Sequence, residues 1–230
     1  MTFTKFLSLL EKRALFFCRA DKIGDPFEGS YPIGNIMKRL GKASSSSPAS
    51  PDLPVAFLEI RKFILLNCWN LGADESAALW KLYAKDNEGV AIQTTFRRLK
   101  ASFGSEGTGA VFIGKVNYIN FLIESFEEQN CFFTPFLHKM KSFEYEHEVR
   151  AISAIYPEDI QDGSDVRLLS APAVFETGTF VDVDLNALIE NVYVAPTAEE
   201  WFRDLMESAI KRFDLNLTPH WTDMHGTPLF

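Results

Sequence analysis

The chain has 230 residues, 47% hydrophobic and 23% charged, with a formal net charge of −8. That is the composition of a globular protein long enough to bury a sizeable core. The acid excess argues against non-specific binding to nucleic acid or to an anionic membrane, and no apolar run approaches the ~20 residues of a membrane span.

Along the chain, Thr4 to Ala14 reads as a helix, because Phe6, Leu7, Leu10 and Ala14 recur at helical spacing. The short apolar run Phe6 to Leu10 is followed at once by Glu11, Lys12 and Arg13. A secretory leader has a longer apolar stretch and a different flank, so a cytoplasmic protein is expected. Leu15 to Ala20 is a short apolar strand that includes Cys18 and Arg19. Gly24-Asp25-Pro26 then signals a turn, because Asp bonds its own backbone and Pro fixes φ. Gly41 to Pro54 is rich in Ser and Pro and reads as a flexible surface loop. The flanking segments are too short to be separate domains, so a single domain over residues 1–230 is expected.

Phe57 to Leu66 reads as helical, leading into a strand at Leu65 to Trp69. Asp74 is a candidate N-cap for a helix to about Lys85. Val90 to Thr94 is a strand. Thr95 caps a further helix in which Phe96, Leu99 and Phe103 share a face. Ala110 to Asn120 reads as one apolar strand broken at Gly114. Phe180 to Leu185 and the segment around Val192 to Val194 are strands. Thr197-Ala198-Glu199-Glu200 has the form of a capping box, ahead of a helix with Trp201, Leu205, Ala209 and Phe213 at four-residue spacing. Leu215 to Leu217 offers a last strand. Short strands and helices without regular alternation give an α+β fold, with a central mixed or antiparallel sheet and flanking helices.

The run from Phe143 to Arg150 has the most chemistry in it. It alternates with period two, and as a strand it would set Glu144, Glu146, Glu148 and Arg150 on one face. Like charges roughly 7 Å apart disfavour one another's ionised form. Such a row stands either on a solvated face or in a site. Trp69, Trp80 and Tyr83 could form an aromatic wall for a planar ligand. Trp80 and Tyr83 are i, i+3 neighbours, and helical aromatics so spaced are more often core. Arg97, Arg98 and Lys100 read as a solvated helix face. Cys18, Cys68 and Cys131 form no disulfide framework. His138, His147, His220 and His225 lack zinc-site spacing, and no metal site is expected. Phosphate-binding glycine loops and the Gly-x-Ser-x-Gly elbow do not occur.

Several blocks in order resemble the bacterial "domain of unknown function 2971" family. They are Leu15 to Ser30, Asn67-Cys68-Trp69 with Glu75 to Tyr83, Gly89 to Thr95, Lys141 to Ala151, and Val194 to Ala198. That family implies no established activity. Its members usually begin with a further strand carrying a Trp-Arg-Tyr-like motif, and this sequence starts at Met1-Thr2-Phe3, where that strand would end. Glu146-His147-Glu148 also resembles the Glu-x-Glu element of ADP-ribosyltransferases. That resemblance implies a split sheet core, NAD as cofactor and a macromolecular acceptor, in toxin or phage-defence biology. Glu148 would be the catalytic carboxylate beside developing positive charge. Glu146 would be its partner base, and Arg19, Asp25, Trp69, Trp80, Tyr83 and Arg150 would bind substrate or cofactor.

Two other readings stand beside it. In a non-catalytic binding or scaffold module, Arg19, Asp25, Glu146, Glu148 and Arg150 would form a buried ion network. In a metal-dependent nuclease, Asp25, Glu146 and Glu148 would converge on Mg²⁺.

Overall fold

The computed structural model describes residues 1–46, 58–84, 87–104, 110–127, 131–160 and 165–226. In chain order the main elements begin with α1 (Phe3–Lys12), β1 (Ala14–Arg19), α2 (Ile33–Ser46), β2 (Ile64–Asn70), α3 (Ala77–Tyr83) and β3 (Val90–Gln93). Next come α4 (Phe96–Ser102), β4 (Phe112–Lys115), β5 (Asn117–Ile119), β6 (His138–Met140) and β7 (Glu148–Ala154). The last are β8 (Gly178–Asp182), α5 (Leu185–Leu188), β9 (Asn191–Val194), α6 (Glu200–Arg212) and β10 (Pro219–Trp221). The fold is α+β, as the sequence indicates. It forms two compact units, one of Met1–Phe16, Gly72–Thr108 and Phe180–Phe230, the other of Phe17–Leu71 and Gly109–Thr179.

In the first unit β9 pairs antiparallel with β3 and parallel with β10. The strand expected at Leu215 to Leu217 therefore lies slightly later, at β10. Helix α1 buries Phe6, Leu9 and Leu10. The Thr95 hydroxyl caps α4 by accepting from the Arg98 N–H at 3.3 Å. Helix α3 starts later than expected, because Ser76 rather than Asp74 accepts the capping bond. The capping box ahead of α6 does not form. Glu199 takes the cap position without a side-chain bond, and the Thr197 hydroxyl bonds Asn87 instead. The buried stripe of α6 is Phe202, Met206, Ala209 and Ile210. Trp201 and Leu205, expected inward, are exposed. The two stripes differ by one residue and share Ala209, so four-residue spacing does not choose between them.

In the second unit β4, β7 and β2 lie side by side in that order, followed by the Phe17–Arg19 end of β1. Strands β1 with β2, β2 with β7, and β4 with β7 are antiparallel. The expected strand Ala110 to Asn120 is two strands. β4 joins this sheet, β5 pairs parallel with β6, and the break falls at buried Val116 rather than Gly114. The segment read as a loop from Gly41 continues α2 through Ser46, and residues 47–54 lie outside the described residues. Asn35 fixes the inner side of α2. Its amide donates to the Phe126 carbonyl at 2.9 Å, and its carbonyl accepts from the Phe126 N–H at 3.1 Å.

Register sets which side chains share a sheet face. Cys68 stands opposite Arg150 and Leu66 opposite Ile152, whereas Trp69 stands opposite Val149 and Leu65 opposite both Ser153 and Arg19. Neighbouring strand residues point to opposite faces. Arg150 and Glu148 thus share one face, with the apolar cluster of Ala20, Ile64, Leu66, Phe133, Phe136 and Ile152, while Arg19 and Trp69 occupy the other.

The turn after β1 closes on the Arg150 face. The Asp25 carboxylate accepts from the Phe27 N–H at 2.9 Å, and Gly29 has φ +68 with the Phe136 ring 2.4 Å from where a Cβ would sit. A side chain there would incur both left-handed backbone strain and overpacking. Gly29→Ala is expected to cost about 2 kcal/mol or more, read as a lowered urea midpoint. An unchanged midpoint would show that Phe136 yields freely.

Candidate functional site

The acidic run does not form the expected strand. Lys141–Glu146 is 3₁₀ helix, His147 takes a left-handed conformation with φ 42, and the strand begins only at Glu148. Only Glu148 and Arg150 of the proposed row therefore lie along β7. The kink at His147 is held from both sides. Its carbonyl accepts from the Leu71 N–H at 2.7 Å, and the Glu146 carbonyl accepts from the Asn70 amide at 2.7 Å. The bend also sends Glu146 toward Lys139 on β6 instead of setting it beside Glu148 as a second strand carboxylate.

The centre of the site is Arg150, fully buried at 0% exposure. Its Nε donates to Glu148 at 2.7 Å. Its two terminal nitrogens grip Glu28 in a fork at 2.6 and 2.9 Å, and one of them also donates to the Phe136 carbonyl at 2.7 Å. Such two-pronged contacts match the planar guanidinium to a carboxylate. Glu148 is itself fixed at its backbone, where its N–H donates to the Tyr118 hydroxyl at 2.8 Å and its carbonyl accepts from the Val116 N–H at 2.9 Å. Its second carboxylate oxygen lies 3.7 Å from the Lys139 ammonium, which sits 2.5 Å from Glu146 and 4.5 Å over the Phe143 ring. Glu28, Arg150, Glu148, Lys139 and Glu146 thus form a chain of alternating charge, with each ion touching an opposite one.

The electrostatics follow from burial and pairing. Burial alone would pull the Arg150 guanidinium down, but Glu28 and Glu148 hold it firmly charged. Burial pushes the Glu28 carboxyl above its ordinary value, with Arg150 offsetting only part of the cost. Burial likewise lowers Lys139, yet the Glu146 hydrogen bond and the Glu148 charge carry it above its usual value. Burial is also the main cause that raises Tyr118.

The other sequence-derived residues fall elsewhere. Arg19 binds Asp21 through two nitrogens at 2.9 and 2.6 Å, and donates to the carbonyls of Phe175 and Glu176. Its expected partners, Asp25, Glu146 and Glu148, are not among these contacts, because Arg19 lies on the opposite face of the sheet from Glu148. Trp69 is on that opposite face too, with its indole N–H on Asn67 at 2.6 Å. The Asp25 Oδ2 is buried without a hydrogen-bond partner. Trp80 and Tyr83 belong to the first unit, on a helix with no buried residue. The expected core role for them does not hold. Trp80 donates to Glu75 at 3.2 Å, and Glu75 also accepts from the Asp223 N–H at 3.1 Å. Among the described residues no group of three or more His, Cys, Asp or Glu could hold a metal ion.

Glu28 and Asp21 escape a reading of the sequence. Asp21 lies two residues from Arg19, in the 3₁₀ turn that follows β1, and could have been paired on closeness in sequence. Glu28 is 122 residues from Arg150, and its only local signal is the turn that precedes it.

The family model described as "Protein of unknown function (DUF2971)" matches residues 79–151, about a third of the chain. The matched span ends inside β7, just past Arg150. No curated protein and no solved structure matches the chain.

The raised Lys139 value fixes the sign of an alkaline effect. The stability Lys139 contributes is fully present below its ordinary value of 10.5 and is lost as pH rises through its higher folded value. Urea midpoints of the wild type are expected to fall in that window, and Lys139→Met should flatten the fall. Identical alkaline profiles for the two proteins would contradict the assignment.

Proposed function

We propose that this chain is a non-catalytic binding or scaffold module, and that Glu28, Arg150, Glu148, Lys139 and Glu146 are its internal ionic frame. The observation that carries this reading is the state of Glu148. One of its oxygens is 2.7 Å from Arg150 and the other 3.7 Å from Lys139, and the residue is 7% exposed. A carboxylate that stabilises a cationic transition state must face the reacting centre with its charge available. Here that charge is spent on two cations of the same unit. A nuclease reading needs Asp25, Glu146 and Glu148 to converge on a metal, whereas Glu146 and Glu148 meet at the Lys139 ammonium and Asp25 accepts from the Phe27 N–H.

Glu148→Gln separates scaffold from enzyme because it keeps shape and removes charge. As a frame member its loss strands Arg150 beside a single carboxylate, and stability is expected to fall by about 3 kcal/mol or more. Wild-type protein incubated with NAD should leave the dinucleotide intact. A Glu148→Gln protein that melts like wild type, together with wild-type NAD consumption that the substitution abolishes, would overturn the proposal in favour of a transferase.

A further inference from the structure

The small sheet of the first unit has one packed face and one open face. Neighbouring strand residues point to opposite faces. Val90, Val192, Val194 and Pro219 are buried on one side. On the other side Gln93 and His220 are exposed, and Ala91, Asn191 and Tyr193 are half-buried. Register sets His220 beside Tyr193 and Tyr193 beside Ala91, with Gln93 and Asn191 paired one step further along. Helix α3 stands over the opposite end of this face. Ala84, which follows it, fills the space that a Cβ at Gly89 would need, and Ala195 borders the same spot at 3.3 Å. Ahead of the helix, Glu75 accepts from the Asp223 N–H, just past β10, at 3.1 Å and from the Trp80 indole at 3.2 Å. Seven residues of helix span about 10 Å, and three strands side by side span about the same. Helix α3 therefore crosses the sheet as a wall at one end and leaves the Gln93 and Asn191 end uncovered.

The groups on the open face are set in advance. The Gln93 Oε1 accepts from the Asn191 amide at 2.7 Å and from the Tyr193 hydroxyl at 3.3 Å. The Gln93 amide nitrogen and the Asn191 side-chain oxygen have no partner among the described residues, so a donor and an acceptor stand side by side on rigid strands. The Tyr193 hydroxyl reaches Gln93 on the neighbouring strand, so its ring lies across the sheet, and Ala91 beside it is too small to cover it. The His220 ring borders Tyr193 at 5.8 Å, tilted by 45°.

This chemistry selects a neutral, hydroxyl-rich ligand. A pyranose carries a flat patch of C–H groups on one face and hydroxyls around its rim, each able both to donate and to accept. The Tyr193 ring suits the patch, and the Gln93 and Asn191 amides suit two neighbouring hydroxyls. None of the five side chains is an Arg or Lys that would take a phosphate. A proline-rich segment needs an aromatic-lined groove, whereas here a single tyrosine lies beside a tilted imidazole.

We propose that the open face of the β10-β9-β3 sheet is a binding site for a neutral saccharide, stacked on Tyr193 and hydrogen-bonded by Gln93 and Asn191.

Nuclear magnetic resonance titration of the ¹⁵N-labelled full chain tests this, with maltohexaose, cellohexaose and chitohexaose as probes. At least one is expected to saturate with a Kd of about 1 mM or tighter, with shifts centred on Ala91, Gln93, Tyr193 and His220. Tyr193→Ala should weaken that binding about tenfold or more. Gln93→Leu, at an exposed position, should weaken it about threefold or more with an unchanged circular dichroism spectrum, and it decides the matter alone should Tyr193→Ala fail to fold. Decaproline and adenosine 5′-monophosphate are titrated in parallel. Absence of shifts with all three hexasaccharides overturns the proposal, and so does a response of this face to decaproline or the nucleotide alone. Saccharide binding that Gln93→Leu leaves unchanged overturns it as well. Both substitutions lie in the first unit, outside the ionic frame, so failure here leaves the scaffold assignment standing.

Discussion

The second unit depends on one constraint: a guanidinium has been removed entirely from water. An ion that size loses several kcal/mol of solvation on burial, and only close opposite charges and hydrogen bonds offset it. Arg150 therefore dictates what surrounds it. Strand β7 contributes Glu148, the turn after β1 contributes Glu28, and the 3₁₀ turn Thr134–Leu137 ahead of β6 contributes the Phe136 carbonyl. Three stretches, one of them more than a hundred residues from Arg150, are thereby held to one point. A fully apolar core could be as stable, but it would tolerate slippage of these segments that the fork on Glu28 does not.

Much of the fold was legible because it rests on local signals. Helix α1, the strands β1, β3, β8 and β9, the Thr95 cap and the Asp25 turn each come from spacing or from a side chain bonding its own backbone. The candidate site was legible only in part. Glu148 and Arg150 were identified, but the period-two pattern from Phe143 to Arg150 extended their strand too far. Alternation cannot register that His147 adopts a left-handed conformation, which depends on bonds to Asn70, Leu71 and Lys139. Arg19 was rightly expected to need an acid, but a face assignment requires the register with Leu65, and that is a long-range fact. Helix α2 was passed over although Ile33, Met37 and Leu40 recur at helical spacing.

The two halves of the acidic element therefore have different natures. Glu148 is part of the sheet and is held at both its backbone and its side chain. Glu146 precedes the bend and reaches the frame only through Lys139, which is shared between the two carboxylates. A Glu-x-Glu spelling thus produces two environments rather than a matched pair. What separates them is one residue's backbone angle, not the identity of either acid.

The separation of Glu28 from Arg150 by 122 residues also has a consequence for the order in which the unit assembles. Arg150 with Glu148, and Lys139 with Glu146, join neighbours on short stretches of chain and close little loop entropy. Glu28 must instead be brought across more than half the chain, and its bonds form only once the sheet exists to receive them. Interactions absent from the folding transition state act mainly on the unfolding rate. The fork between Glu28 and Arg150 is thus a kinetic lock. It contributes little to how fast the unit forms and much to how long it stays formed.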